Sequence, residues 1–390
     1  MTDLFRRQQL AVRALAQGNH GHAEWSQVCA LLDELSDDAV RVHLDELEAE
    51  LNAWPPEFRT GRPRWAARLQ TEGLEPRLQL CRVLGVGGMP AGSAMSRADL
   101  WRALDSPDVA RIEVLGIAYV EFDEVSAPDL ARRLARIGVK RLDLMDIAIR
   151  GGISHIFRLS LDGVLAALDA RSCGLGRGAL ETAVAAGAAI GLRELGLQDN
   201  FLKAPDVEHL ARLPGLGGVR RLTLVNNTFL AAGVRVLVEH APLQELRSLN
   251  LEGTQCGAEG AALLATAPVF ARLETLSLMG CDLKDAGAAA LAAATSLTTL
   301  RELDLRFNHI TATGVRSLFA STQLRALERL DLSHNEIEDD IVEVLASYPQ
   351  VARLVSLTLD DTYLSNEARA ALLVIPLPTG VLDLRLLREE

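Results

Sequence analysis

From Leu165 onward, apolar residues follow two alternating rhythms. In the first, leucines fall at every second position, which predicts a strand with one buried face. The second starts about eight residues further on and has spacings of three and four, which predict a helix. Val234, Leu237 and Val238 show it, as do Val315, Leu318 and Phe319. The two rhythms together recur every 27 residues, opening at Leu165, Leu192, Val219, Leu246, Leu273, Leu300, Leu327, Leu354 and Val381. The predicted strand cores are Leu168/Ala170, Leu195/Leu197, Leu222/Leu224, Leu249/Leu251, Leu276/Leu278, Leu303/Leu305, Leu330/Leu332, Leu357/Leu359 and Leu384/Leu386. A fixed period of this length marks a solenoid, in which each unit buries its apolar face only against its neighbours.

The pattern loosens upstream. Leu78/Leu80, Ile112/Val114 and Leu142/Leu144 read as three further strands at irregular intervals, bringing the total to about twelve. Helices are predicted over 96–104, 127–137 and 153–161. Before Trp54 the pattern is helical throughout. Leu4, Leu10, Val12 and Leu15 form one stripe, a second helix starts near Glu24, and a third starts near Asp37 with Ser36 as its N-cap. Val40, Val42, Leu44, Leu47 and Leu51 continue that third pattern. The acidic run from Asp33 to Glu50 reads as a solvated face. Arg59, Arg62, Arg64 and Arg68 of the proline-containing connector are expected to pair with the acidic helices before them. The predicted divisions are a helical region over 1–55, a connector with degenerate capping repeats over 56–164, and the regular array over 165–390.

Each regular unit closes its strand with Cys173, Asn200, Asn227, Thr254, Cys281, Asn308, Asn335 or Thr362. All of these side chains can bond backbone groups at the turn, where an unpaired buried group costs about 1–3 kcal/mol. Strands sit about 4.8 Å apart and helices about 8–10 Å apart, so such a stack bends with its sheet on the concave side. The predicted fold is therefore an α/β right-handed horseshoe, with a parallel concave sheet, convex helices and an N-terminal helical cap.

Composition adds little to this picture. The chain has 390 residues and a formal net charge of -12, which argues against nucleic acid or an anionic membrane as the main partner and is compatible with a basic protein partner. The N-terminus lacks the apolar core of a signal peptide, and no apolar run is long enough to span a bilayer. Cys29, Cys81, Cys173, Cys256 and Cys281 form no disulfide framework. Reduced thiols and a cytoplasmic location are expected. A monomer is the expected state.

The units LRSLNLEGTQCGAEGAALLATAPVFAR (246–272) and LETLSLMGCDLKDAGAAALAAATSLTT (273–299) carry the phrase LxxLxLxx(N/C)xL followed by a full helix. In this they resemble ribonuclease-inhibitor-like leucine-rich repeats, especially those of large bacterial proteins. The resemblance spans roughly Val109 to Glu390. It implies protein binding through the concave face and, in one eukaryotic branch, activation of a small GTPase. It carries over no functional residue.

Candidate site residues are those the period leaves variable on the sheet face. Arg221, Glu252, Met279, Glu302, Asp304, Arg306, Arg329 and Asp331 fall there, with Phe307 and His334 at its edge. Met or an aromatic ring beside arginine is the usual chemistry of an interface anchor. The competing expectation is that Phe307 tucks under the strand-to-helix loop and the charges pair among themselves. Catalytic and metal signals are weak. His20, His22 and Glu24 have a loose metal-like spacing, and Asp331, Ser333, His309 and His334 a loose hydrolase-like one. Neither is backed by a phosphate loop, a dinucleotide fingerprint or a zinc motif. No catalytic residue, cofactor or metal is expected. The leading reading is a non-enzymatic protein-binding scaffold. Two others stay open, a regulator of a bound enzyme or small GTPase, and a self-assembly unit pairing through the edge of its last strand.

Overall fold

The structure, a computed structural model, describes residues 2–17, 20–52, 54–71, 75–87, 95–120, 122–348, 353–360, 362–375 and 382–383. The chain divides into two units, Met1–Cys173 and Gly174–Glu390.

The first unit opens with four helices, α1 (Thr2–Ala16), α2 (His22–Asp33), α3 (Asp37–Val42) and α4 (Leu44–Glu50). After α5 (Pro63–Thr71) strands and helices alternate as β1 (Val83–Gly87), α6 (Arg97–Asp105), β2 (Val114–Ala118), α7 (Ala127–Ile137), β3 (Arg141–Met145), α8 (Ile153–Leu161) and β4 (Ala167–Arg171). The four strands are parallel and pair in sequence order, with Leu84, Leu115, Leu142 and Leu168 in register.

Two of the expected strands move. Leu78 and Leu80 lie in a 3-10 turn, Pro76–Leu80, and the strand begins at Val83. Pro76 opens the turn and has no N–H to give to a sheet. The alternate burial of Leu78 and Leu80 comes from the turn packing inward. Ile112 likewise ends a turn, donating to Val109, and Leu115 and Ile117 are the inward pair of β2. With these corrections the in-register leucines lie 31, 27 and 26 residues apart, so the first unit keeps nearly the period of the second.

The stripe on α1 also differs. Phe5, Gln8, Val12 and Ala16 are buried, whereas Leu4 and Leu10 are exposed. Spacings of three and four hold one helical face, and Leu4 and Leu10 lie off it. Ser36 caps α3 by accepting from the Ala39 N–H. The helix then breaks at His43, which leaves Val42 exposed.

The acidic run is largely an ion-pair surface. Arg62 and Arg64 bond Asp33, and Arg68 bonds Asp37 and Glu75. Arg59 forks onto Glu48 and gives its Nε–H to Leu80 O at 2.7 Å. Arg77 is buried and holds Asp37 at 2.5 Å and the fully buried Glu75 at 2.9 Å. It also donates to Leu32 O in the last turn of α2 and to Leu35 O just beyond that helix. These arginines fasten the helical cap to the first repeat. Beside them Arg59–Gly61 pairs with the outer edge of β1, where the Gly61 N–H donates to Val83 O at 2.8 Å and the Val83 N–H to Arg59 O at 3.1 Å.

The second unit continues the alternation with three-residue strands along most of its length. In order it holds α9 (Ala179–Ala185), β5 (Glu194–Gly196), α10 (Ala204–Ala211), β6 (Arg221–Thr223), α11 (Leu230–His240), β7 (Ser248–Asn250), α12 (Gly257–Thr266), β8 (Thr275–Ser277), α13 (Lys284–Ala292), β9 (Glu302–Asp304), α14 (Ala312–Ala320), β10 (Arg329–Asp331), α15 (Ile341–Ser347), β11 (Ser356–Thr358), α16 (Asn366–Leu373) and β12 (Leu382–Asp383). From β5 to β11 its strands pair in parallel with equivalent residues opposite one another. β12 departs from this, since Leu382 stands opposite Leu357, 25 residues on, where the period expects Leu384. Together the two units hold twelve strands among the described residues. The expected Leu384/Leu386 core and the charged end Arg388–Glu390 lie outside the described residues.

The turn row works as a ladder. Asn308 Oδ1 accepts from the N–H groups of Cys281 and Leu283, and its Nδ2 donates to Leu278 O, Leu305 O and Arg306 O. Asn335 repeats this on Asn308, Ile310, Leu305, Leu332 and Ser333. Asn227 bridges Asn200 and Leu202 to Leu197, Leu224 and Val225. Thr254 and Cys281 each bond Leu251 O, a smaller share of the same task. The glycines at the helix heads have a steric role. A Cβ on Gly233 would lie 2.3 Å from the Phe229 ring, and one on Gly287 2.7 Å from Leu283 Cβ. Each helix therefore folds back onto the apolar residue that closes its own strand phrase.

Three outcomes are expected. Asn308→Ala strands two buried N–H groups and should lower unfolding free energy by about 1–3 kcal/mol or more. An unchanged midpoint in urea contradicts the ladder. Arg77→Ala leaves Glu75 buried without that guanidinium and should cost about 3–5 kcal/mol. Equal stability of variant and parent shows the cluster to be dispensable. The third concerns acid. Hydrogen bonding from Arg68, with a further contribution from Arg77, holds the Asp37 carboxyl down at about 2 against its ordinary 3.8. A depressed carboxylate stabilises the fold above the unfolded value and loses that contribution as pH falls through the folded one. Between about pH 4 and pH 2 the parent should therefore lose more stability than Asp37→Asn, as thermal melts across that window would show.

Candidate interaction face on the second sheet

Along each strand of the second unit the leucines point into the core, and the residues between them project from the opposite face. In-register pairing lines these residues up in rows. Thr275, Glu302, Arg329 and Ser356 form one row, and Ser277, Asp304, Asp331 and Thr358 form the next. The second row sets two carboxylates side by side on β9 and β10, an unfavourable cross-strand pair by itself.

Arg306 resolves that repulsion. Its Nε and NH2 lie 3.0 and 2.7 Å from Asp304, and its Nε lies 3.5 Å from Asp331 Oδ2. The hydrogen bond to Asp304, with the charges of Asp304, Asp331 and Glu252, raises the Arg306 pKa above its ordinary value. Arg329 reaches across to Glu302 at 2.5 Å. These groups line a cavity of about 360 Å³. Its room comes from the small residues Asn250, Thr275, Ser277, Ser356 and Thr358, which were not among the candidates. Their signal in the sequence is a run of short side chains at positions where neighbouring repeats carry long ones.

The structure thus brings together Glu252, Glu302, Asp304, Arg306, Arg329 and Asp331. Met279 is half-buried and stands in the row between Glu252 and Arg306. Arg221 lies elsewhere, on β6, paired with Glu194 at 3.2 Å. The charges do pair among themselves, as one expectation held. Phe307 does not tuck under the loop. It is 45% exposed and stacks on His334, with ring centroids 4.1 Å apart and planes 11° from parallel. The strand's exit geometry accounts for this. The backbone there is left-handed, with φ of 54° at Asp199, 55° at Asn226, 67° at Gly253 and 63° at Gly280. Those residue types tolerate the conformation. Phe307 and His334 occupy the same position with φ of 56° and 57°, which turns both rings outward at the rim.

The catalytic and metal patterns dissolve in three dimensions. Ser333 is buried, and its hydroxyl donates to Asp331 at 2.6 Å, while the His334 ring lies flat on Phe307. His309 bonds Glu336 at 2.8 Å. His20 bonds Ala16 O and leans on Trp54, whereas His22 meets the edge of Phe58. Among the described residues no group of three His, Cys, Asp or Glu is placed to hold a metal. The five cysteines are free and buried. Burial pushes the Cys29 thiol up to about 11 and Cys173 up to about 12. Among the described residues no helix is long and apolar enough to cross a membrane.

Comparison with known proteins agrees with this architecture. The sequence profile of the family described as "Leucine Rich repeat" matches residues 273–292, 296–319 and 323–346. No curated protein matches the chain in sequence. Among solved structures, a chain of the Rad7 and Elc1 complex in yeast is similar at a TM-score of 0.55 and 13% identity, over 93% of this chain and 96% of that one. An internalin (inlF) from Listeria monocytogenes str. 4b F2365 has a TM-score of 0.46 and 16% identity, over 80% and 83%. The profile matches residues 273–292, 296–319 and 323–346, and the 27-residue period with parallel strands alternating with helices is the fold of a leucine-rich-repeat solenoid.

Proposed function

We propose that this protein is a non-enzymatic scaffold that binds a protein partner through the sheet face spanning β7 to β11. Leucine-rich repeat proteins generally mediate protein–protein interaction. The observation that carries the assignment to this face is the charged cavity next to the exposed Phe307–His334 stack. The core of an interface favours aromatic, Met and Arg side chains, and all of these converge here. The excess of carboxylates among the lining residues fits a basic partner. A ribonuclease-inhibitor-like subtype fits a 27-residue period with a full helix after each strand phrase, and the alanine-, leucine- and arginine-rich composition fits a bacterial source. Buried free thiols fit a reducing cytoplasm.

Ser277→Trp would fill the cavity without touching the core. Capture of partners from the native host should fail with this variant and persist with Arg316→Glu, a change on the helix side. Retention by Ser277→Trp together with loss by Arg316→Glu would overturn the assignment to the sheet face.

A further inference from the structure

We propose that the cavity takes the side chain of an arginine presented by the partner polypeptide. The proposal rests on the sheet face being the binding surface, and it names the chemistry that surface selects. Four carboxylates, Glu252, Glu302, Asp304 and Asp331, share the cavity with two guanidiniums, Arg306 and Arg329. Both guanidiniums are already held, one by Asp304 and Asp331 and the other by Glu302. An anionic guest would have to displace those bonds. A cationic guest meets an open acceptor instead, because among the described residues Glu252 makes no ion pair.

The shape of the site favours guanidinium over ammonium. Glu252 follows β7 and stands two strands, about 9.6 Å, from the carboxylate row on β9, so a guest meets it as a single carboxylate, whose two oxygens a planar fork of N–H donors can grip together. Arg306 already shows this mode, lying against Asp304 on β9 and reaching Asp331 on β10. The half-buried Met279 separates Glu252 from Arg306 and offers an apolar bed for an arginine stem. The Phe307–His334 stack follows Arg306 directly in the chain and gives a flat, exposed aromatic surface at the rim. Guanidinium planes stack on such surfaces better than a compact ammonium does.

Met279 also supplies the readout. The full chain, labelled with ¹³C at its methionine methyls, is titrated with acetyl-Gly-Arg-Gly-amide and with the citrulline counterpart, which has nearly the same shape and no charge. The arginine peptide should shift the Met279 signal with a Kd of about 1 mM and leave Met145 unmoved. The citrulline peptide should bind about tenfold more weakly, the difference expected for loss of a charge-assisted pair. Glu252→Gln should weaken the arginine peptide by about fivefold with at most a small shift in thermal midpoint, since among the described residues that side chain makes no ion pair and feels Arg306 only at longer range. An unmoved Met279 signal at about 10 mM arginine peptide, or equal binding of citrulline, overturns the proposal. A partner lost with Ser277→Trp but indifferent to Glu252→Gln would leave the sheet-face reading standing and remove the arginine seat alone.

Discussion

Within each unit, one constraint governs what every residue meets. Parallel strands pair in register, so a side chain's nearest neighbour is its own counterpart one repeat away. That rule suits leucine against leucine, and it suits an asparagine whose two ends reach successive turns. It does not suit charge, since a repeated acid meets itself. The strands of the second unit show both outcomes. Asn308 and Asn335 link turn to turn, while Asp304 and Asp331 are forced together and need Arg306 from two positions on. The cavity and its electrostatics follow from this enforced adjacency.

Most of the repeat architecture was legible because period and chemistry agree. A leucine at every second position admits a single inward face, and the turn row carries only residues that bond backbone. The misreadings came where two structures share a pattern. Leu78 and Leu80 alternate as a strand would, but Pro76 removes a donor and turns the segment into a 3-10 helix. On α1 the apolar residues Leu4 and Leu10 drew attention away from Gln8, a polar residue that is buried in the true helical face. The charges around Arg77 were legible as a pairing of connector with helices. Their depth was not, because burial of Glu75 depends on contacts from α2, α3 and the 3-10 turn at once.

The candidate face was legible in its charges and in the short side chains near its middle, but not in the hollow those short side chains leave. Which long side chains project follows from register alone. The space between them depends on several short ones in adjacent rows, and no single repeat displays that. The aromatic rim lay between these cases. Phe307 was visible as an oddity, but its outward aim comes from a left-handed backbone shared by the whole row, in which asparagine, aspartate and glycine usually sit. A bulky residue in such a row departs from the row's usual chemistry, and that departure is what picks out the site.

The short pairing between Arg59–Gly61 and Val83 bears on how the protein behaves at high concentration. A bare outermost strand is a template onto which another chain can add. Here the outward N–H and C=O of Val83 are already occupied from within the same chain, so a foreign strand could not pair along the whole of β1. The connector whose arginines fasten helices to repeats thus also covers the start of the first sheet edge, shortening the template left for another chain.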